Sequence, residues 1–273
     1  MSHVAIDEIV RRIRDLPSLP AVVAELLSSM EDDDIDLQQL ARKISLDQAL
    51  TAKTLRLANS SFYGMQSKVT NIQQAMSVLG FHSVRTLVTA CGVIGGVPAV
   101  PGMQLDFNAF WRHSIATAVW ARALARRLRQ SPDTAFTAGL LHNVGKLVLA
   151  TRFPDEYAEV QNWRREHGGS TAEAQLQVFG VDDTQAGSAL AAHWKFPPAI
   201  QDAIGQHRRP AATGLAQSVY LANLLAVPAE AGDDSDEARE QAWSVLAVDD
   251  DERIEITANC DLVFNEMCQI LVG

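Results

Sequence analysis

The residues best suited to chemistry lie in one stretch, Thr137-Ala138-Gly139-Leu140-Leu141-His142-Asn143-Val144-Gly145-Lys146-Leu147-Val148-Leu149. It sets an imidazole, a carboxamide and an amine inside an apolar segment. Burying such groups without partners costs roughly 2–7 kcal/mol, depending on reference state. They therefore require hydrogen-bond partners, a metal or a ligand. Lys146 reads either as a solvated charge at a helix end or as a donor to an anion. His113 and Asn223 raise the same question. Phe110, His113, Thr117, Trp120 and Leu124 step by three and four, so they share one helix face and His113 points into apolar surroundings. A lone histidine so placed is more often a hydrogen-bonded core residue than a ligand. Asn223, in Tyr220-Leu221-Ala222-Asn223-Leu224-Leu225-Ala226, is largely buried in any helical rotation. It reads as a single structural amide or as one member of a polar network that joins these residues. Spacing alone leaves both readings open.

The elements that must position these residues are helices. Ile6, Ile9, Val10, Ile13 and Leu16 recur at helical spacing over 4–16. Leu16-Pro17-Ser18-Leu19-Pro20 breaks that helix, and Pro20 starts another that carries Val22, Val23, Leu26, Leu27 and Met30. An acidic turn follows at 31–34. Asp36 and Ser45 are placed as N-caps of helices over 37–43 and 46–59. Thr70 or Asn71 caps a short helix closed by Gly80, and the next runs from Ser83 to about Ile94. Gly95 to Gly102, with three glycines and two prolines, is the best domain boundary. Beyond it a long helix spans about 106–129. Ser131-Pro132 leads into the His-Asn stretch. Further helices are expected over 154–167, 171–179, from Asp182 to near Trp194, from Pro197-Pro198 to His207, and over 215–227. The stretch 229–240 is acidic and poor in large apolar residues, and reads as a mobile loop. One or two helices close the chain. The expected fold is all-α: an N-terminal helical lobe over 1–100 and a second over 101–273, with no strand pair and no repeat.

Composition narrows the partners. The chain of 273 residues has 23 basic and 33 acidic side chains, a net charge of −10, which argues against a nucleic-acid or anionic-membrane binder. Cys91, Cys260 and Cys268 have no metal-ligand spacing and read as buried free thiols in a reducing cytoplasm. The first residues lack the basic-then-apolar pattern of a signal peptide. No apolar run reaches the ~18 residues a membrane span needs. The expected localisation is cytoplasmic.

The His-Asn stretch resembles the His-Asp-x-Gly-Lys signature of the HD phosphohydrolase superfamily, with Asn143 in place of the aspartate. Several further segments resemble the HDOD family, bacterial regulatory proteins named for an HD-related output domain. Leu16-Pro17-Ser18-Leu19-Pro20 is similar to the family's opening. Ser45-Leu46-Asp47-Gln48-Ala49-Leu50-Thr51-Ala52-Lys53 resembles its Asp-Pro-x-Leu helix, with Gln48 where proline is usual. Leu57-Ala58-Asn59-Ser60-Ser61-Phe62-Tyr63-Gly64 is its most specific motif, followed by Val78-Leu79-Gly80 through Leu87. Phe179-Gly180-Val181, Gly187 and Trp194-Lys195-Phe196-Pro197 match the later part. The likeness covers about 15–227 and implies that the C-terminal lobe is HD-domain-like.

The resemblance also places the superfamily's metal-ligand positions. His113 matches the first histidine and His142 the histidine of the dyad, whose aspartate is Asn143. Asp183 stands where a histidine is common. His207 matches the first of a His-His pair and Arg208 replaces the second. Asn223 replaces the aspartate of a closing Ala-Asp pair. Metal-dependent hydrolysis needs anionic ligands, one of them bridging. An amide oxygen carries no formal charge, and an inward Arg208 would repel a cation. The resemblance therefore implies a degenerate site and a non-catalytic signalling module that acts through a protein partner or ligand. No cofactor is expected. Weak single-metal binding through His113, His142, Asp183 and His207 is the residual alternative, with a phosphohydrolase or phosphodiesterase activity. Another is a sensor of a small anion or nucleotide, with Lys146 and Arg208 as donors.

Overall fold

The computed structural model describes residues 21–28, 36–64, 68–96, 105–209, 212–227 and 233–273. The expected helix over 4–16, the Leu16–Pro20 break, the acidic turn at 31–34 and most of the Gly95–Gly102 boundary lie outside them. Fifteen helices and no strand occur among the described residues. In chain order they are α1 (Ala21–Ser28), α2 (Leu37–Ser45), α3 (Gln48–Ala58), α4 (Ile72–Leu79), α5 (Phe81–Gly96), α6 (Phe107–Ala125), α7 (Pro132–Leu141), α8 (Val144–Arg152), α9 (Pro154–His167), α10 (Thr171–Phe179), α11 (Asp183–His193), α12 (Pro198–Gln206), α13 (Gly214–Leu225), α14 (Asp233–Leu246) and α15 (Asp250–Leu271). The protein is all-α.

Side-chain caps set most starts. Asp36, Asn71, Asp106, Ser131 and Ser170 accept from backbone N–H groups of the first turn, as their sequence positions imply. Ser45 does not cap α3. Its hydroxyl donates back to the Ala41 carbonyl, and Asp47, two residues on, caps instead through the Leu50 N–H. A carboxylate is the better acceptor at the positive end of a helix. The long helix over 106–129 ends early, at Ala125, and Arg129 adopts a left-handed conformation with φ 57°.

The acidic stretch 229–240 is a second correction. From Asp233 it is helical, in α14. Acidic residues suit a helix N-terminus, and the anchors come later: Ala242, Trp243 and Leu246 are buried, with Trp243 edge-on to Trp120 at 5.7 Å. The composition of 229–240 alone could not reveal anchors that follow it.

One continuous apolar core runs through the described residues. Helices α1–α5 pack chiefly on one another, and α5 against α7 and α3 against α15 join them to the rest. The Leu57–Gly64 motif lies at this junction. Asn59 Nδ2 donates to the carbonyls of Leu55 and Val69, and its Oδ1 accepts from the Val69 N–H. Phe62 stacks edge-on to Phe136 of α7 at 5.3 Å. The Arg122 guanidinium lies 4.0 Å from the Phe62 ring centre and pairs with Asp133 at 2.8 Å.

Two glycines let the helices that carry the polar residues approach closely. A Cβ on Gly139 would lie 2.8 Å from the Ala118 Cα of α6. One on Gly145 would fall inside the van der Waals shell of the Asp183 carbonyl oxygen, on α11. Both obstacles are backbone, so neither can step aside. Gly145→Ala should therefore lower stability by roughly 2 kcal/mol or more, read as a lower urea midpoint. An unchanged midpoint would show that α8 and α11 are not in this close contact.

Candidate functional site

Histidines end two helices in the same way. His142 follows α7 and its Nδ1 donates to the Gly139 carbonyl at 2.6 Å. His207 follows α12 and its Nδ1 donates to the Ile204 carbonyl at 2.8 Å. Each satisfies one of the carbonyls that a helix C-terminus leaves without an intrahelical partner. The cap fixes the tautomer as well, because a carbonyl only accepts. Nδ1 carries the proton, and Nε2 is left with a free lone pair.

The packing of α6, α7, α12 and α13 brings these rings together. His113 of α6 lies 5.4 Å from His142 between ring centres, and His142 lies 4.9 Å from His207. Asn223 of α13 accepts from His113 Nε2 at 2.9 Å. Asn143 bridges α7 and α8, beside His142. The Nε2 of fully buried His142 and the buried Oδ1 of Asn143 have no hydrogen-bond partner among the described residues. Both are acceptors.

Asp183 opens α11 and is 1% exposed. Arg208 holds it with two parallel bonds, Nη1 to Oδ1 and Nη2 to Oδ2, each 2.6 Å. The Lys146 backbone N–H donates to the Asn143 carbonyl, and its side chain has no hydrogen bond or ion pair among the described residues. It lines a cavity of about 320 Å³ with His113, Asn143, Tyr157 and Arg164. The structure thus gathers His113, His142, Asn143, His207 and Asn223 in one place, and pairs Asp183 with Arg208. Lys146 faces the neighbouring cavity. Arg164 and Tyr157 gave no signal in the sequence, because only the return of α9 over α8 brings them beside Lys146.

Burial is the largest influence on the three histidines and on Lys146. It lowers the pKa of His113, His142 and Lys146, and with help from the Arg208 charge takes His207 down to about 4. All three imidazoles are neutral at pH 7. Asp183 opposes the shift of Lys146, and the Asn223 hydrogen bond opposes that of His113, without reversing either.

Three neutral histidines thus meet between packed helices of an all-α protein, with an acid and a basic residue beside them. The chain belongs to the HDOD family, whose domain model matches residues 16–210. It is 25% identical over 198 residues to an uncharacterized protein of Treponema pallidum (strain Nichols), a match that covers 72% of this chain and 38% of that one. The chain therefore spans well under half of that relative. Among solved structures it is similar to a proposed phosphohydrolase from Shewanella amazonensis SB2B, with 28% identity, a TM-score of 0.78, and 96% and 97% of the two chains covered. An HDOD domain protein from Geobacter sulfurreducens shares the fold at 23% identity, with a TM-score of 0.71 and 96% of each chain covered. Among the described residues no helix is long and apolar enough to cross a membrane.

The neutral histidines carry a pH dependence. An unfolded imidazole takes up a proton near pH 6.5, whereas folded His207 stays neutral to about 4. Between those values the unfolded chain binds more protons, so stability is lost as pH falls. Urea unfolding of the wild type should weaken from pH 6.5 towards 4, by up to about 1.4 kcal/mol per pH unit for each such group. His207→Gln should show a shallower slope. Equal slopes would mean that His207 is not held neutral.

Proposed function

We propose that this chain is a non-catalytic signal-transduction module that acts through a protein partner or a ligand. One observation carries the reading. Arg208 occupies both oxygens of Asp183, a buried carboxylate beside the histidines. A divalent metal centre in the superfamily's style needs anionic oxygen ligands to balance its charge. The remaining donors are three neutral imidazoles and two amides. The orphaned acceptors of His142 and Asn143 could receive a cation, but the Arg208 guanidinium already supplies a fixed positive charge next to them. Among the described residues no group of three or more His, Cys, Asp or Glu side chains is arranged to hold a metal. The residues present do not fit the metal.

In this reading the two helical lobes, over 1–100 and 101–273, are a scaffold for recognition, and the net charge of −10 favours a partner other than nucleic acid. The Shewanella amazonensis neighbour keeps the phosphohydrolase reading as the alternative. A second reading, an anion or nucleotide sensor, rests on Lys146 and Arg164 lining the same cavity.

The experiment is a turnover assay on cyclic dinucleotides, nucleoside monophosphates and an aryl phosphate with added manganese, magnesium or iron(II). The expected result is no turnover above buffer. Turnover that disappears in His142→Ala would overturn the non-catalytic reading.

A further inference from the structure

A larger cavity, of about 680 Å³, also borders His113. One wall is a single face of α6, from Asp106 through Ala109, His113 and Ala116 to Trp120, at helical spacing. The facing wall is one face of α15, with Thr257, Cys260, Asp261 and Phe264. The end of α13 and Arg239 of α14 close it. Two of the α6 residues on its wall, Ala109 and Ala116, are small. Helices α14 and α15 lie beyond residues 16–210, so two of the cavity's walls come from outside the stretch that matches the family model.

The lining selects a chemistry. The volume falls in the roughly 300–1,000 Å³ range of small-molecule pockets. Trp120, Phe264 and the Arg112 guanidinium, 5.0 Å from the Phe264 ring centre, offer flat surfaces. Burial pushes the Cys260 thiol up to about 12, so it stays protonated and adds no charge. Arg112 and Arg239 are balanced in formal charge by Asp106 and Asp261. Two of these four are already engaged: Arg239 donates to the Val227 carbonyl, and Asp106 caps α6. Arg112 lies over Phe264, and Asn108, Asp261 and His113 are other polar groups on the wall. The His113 Nε2 proton goes to Asn223, which leaves Nδ1 as a neutral acceptor with no partner among the described residues.

We infer that this cavity is a binding site for a neutral, planar, largely aromatic small molecule that carries one N–H or O–H donor for His113. The inference goes beyond the proposed function and does not depend on whether the histidine cluster is catalytically empty. A ligand here would touch His113, which also lines the cavity of Lys146, so both cavities share one side chain.

The test uses the full chain and N-phenyl-1-naphthylamine, a neutral aromatic with one N–H whose fluorescence rises in apolar surroundings. 8-Anilinonaphthalene-1-sulfonate is its anionic counterpart. Ala116→Leu and Thr257→Leu fill the slot from opposite walls, and circular dichroism melting identifies which variants are folded. Saturable binding of one neutral probe per chain is expected, tighter than the anionic probe and at least tenfold weaker in each folded variant. Absent or non-saturable binding, stronger binding of the anionic probe, or unchanged affinity in a folded slot-filled variant would each overturn the inference.

Discussion

The ion pair between Arg208 and Asp183 sets the character of this molecule. A carboxylate as buried as Asp183 needs a compensating charge, since an isolated buried ion is expensive. In a metal centre of the superfamily's kind, a divalent ion could supply that charge. Here a guanidinium does, with the bidentate geometry that arginine makes best. The consequence reaches the histidines. The Arg208 charge adds to burial in holding His113, His142 and His207 neutral. Breaking such a pair on one side would leave an uncompensated charge, so the pair is maintained by what surrounds it.

Backbone contact does the surrounding. Gly145 allows α8 to lie against the first turn of α11, and this fixes the Asp183 backbone beside the His-Asn junction. Gly139 does the same for α7 on α6. The histidine caps are a by-product of helix termination: each ring stops a helix and presents its Nε2 inward. The same residues that end the helices therefore assemble the cluster, and no loop has to be ordered for the purpose. At the junction with α1–α5, the Arg122–Asp133 pair and the Phe62–Phe136 contact bind the Leu57–Gly64 motif to the helices that carry the histidines.

Much of the fold could be read from the chain because its signals are local. Asp106, Ser131 and Ser170 announce helix starts, and apolar spacing gives the faces. The errors have local causes too. Asp47 outcompetes Ser45 as the cap, and the helix that begins in 229–240 is anchored by Trp243 and Leu246, beyond that stretch. The site was legible only in part. Polar residues on apolar faces marked His113, His142 and Asn223 as unusual, but spacing could not say that the rings meet. The Arg208–Asp183 grip joins residues 25 apart in sequence, and the Lys146 cavity depends on α9, so neither has a local signature. The slot between α6 and α15 was invisible for the same reason.

The central claim is that a guanidinium has taken the place of a metal's charge. Metal titration of two proteins by calorimetry, with bound manganese and nickel counted after gel filtration, tests it most directly. One is the wild type and the other the variant Asn143→Asp, Arg208→His, which returns a carboxylate and removes the cation. The account predicts no stoichiometric metal in the wild type and a gain of about one ion per chain in the variant. Stoichiometric metal held by the wild type through its histidines, with Arg208 in place, would contradict it.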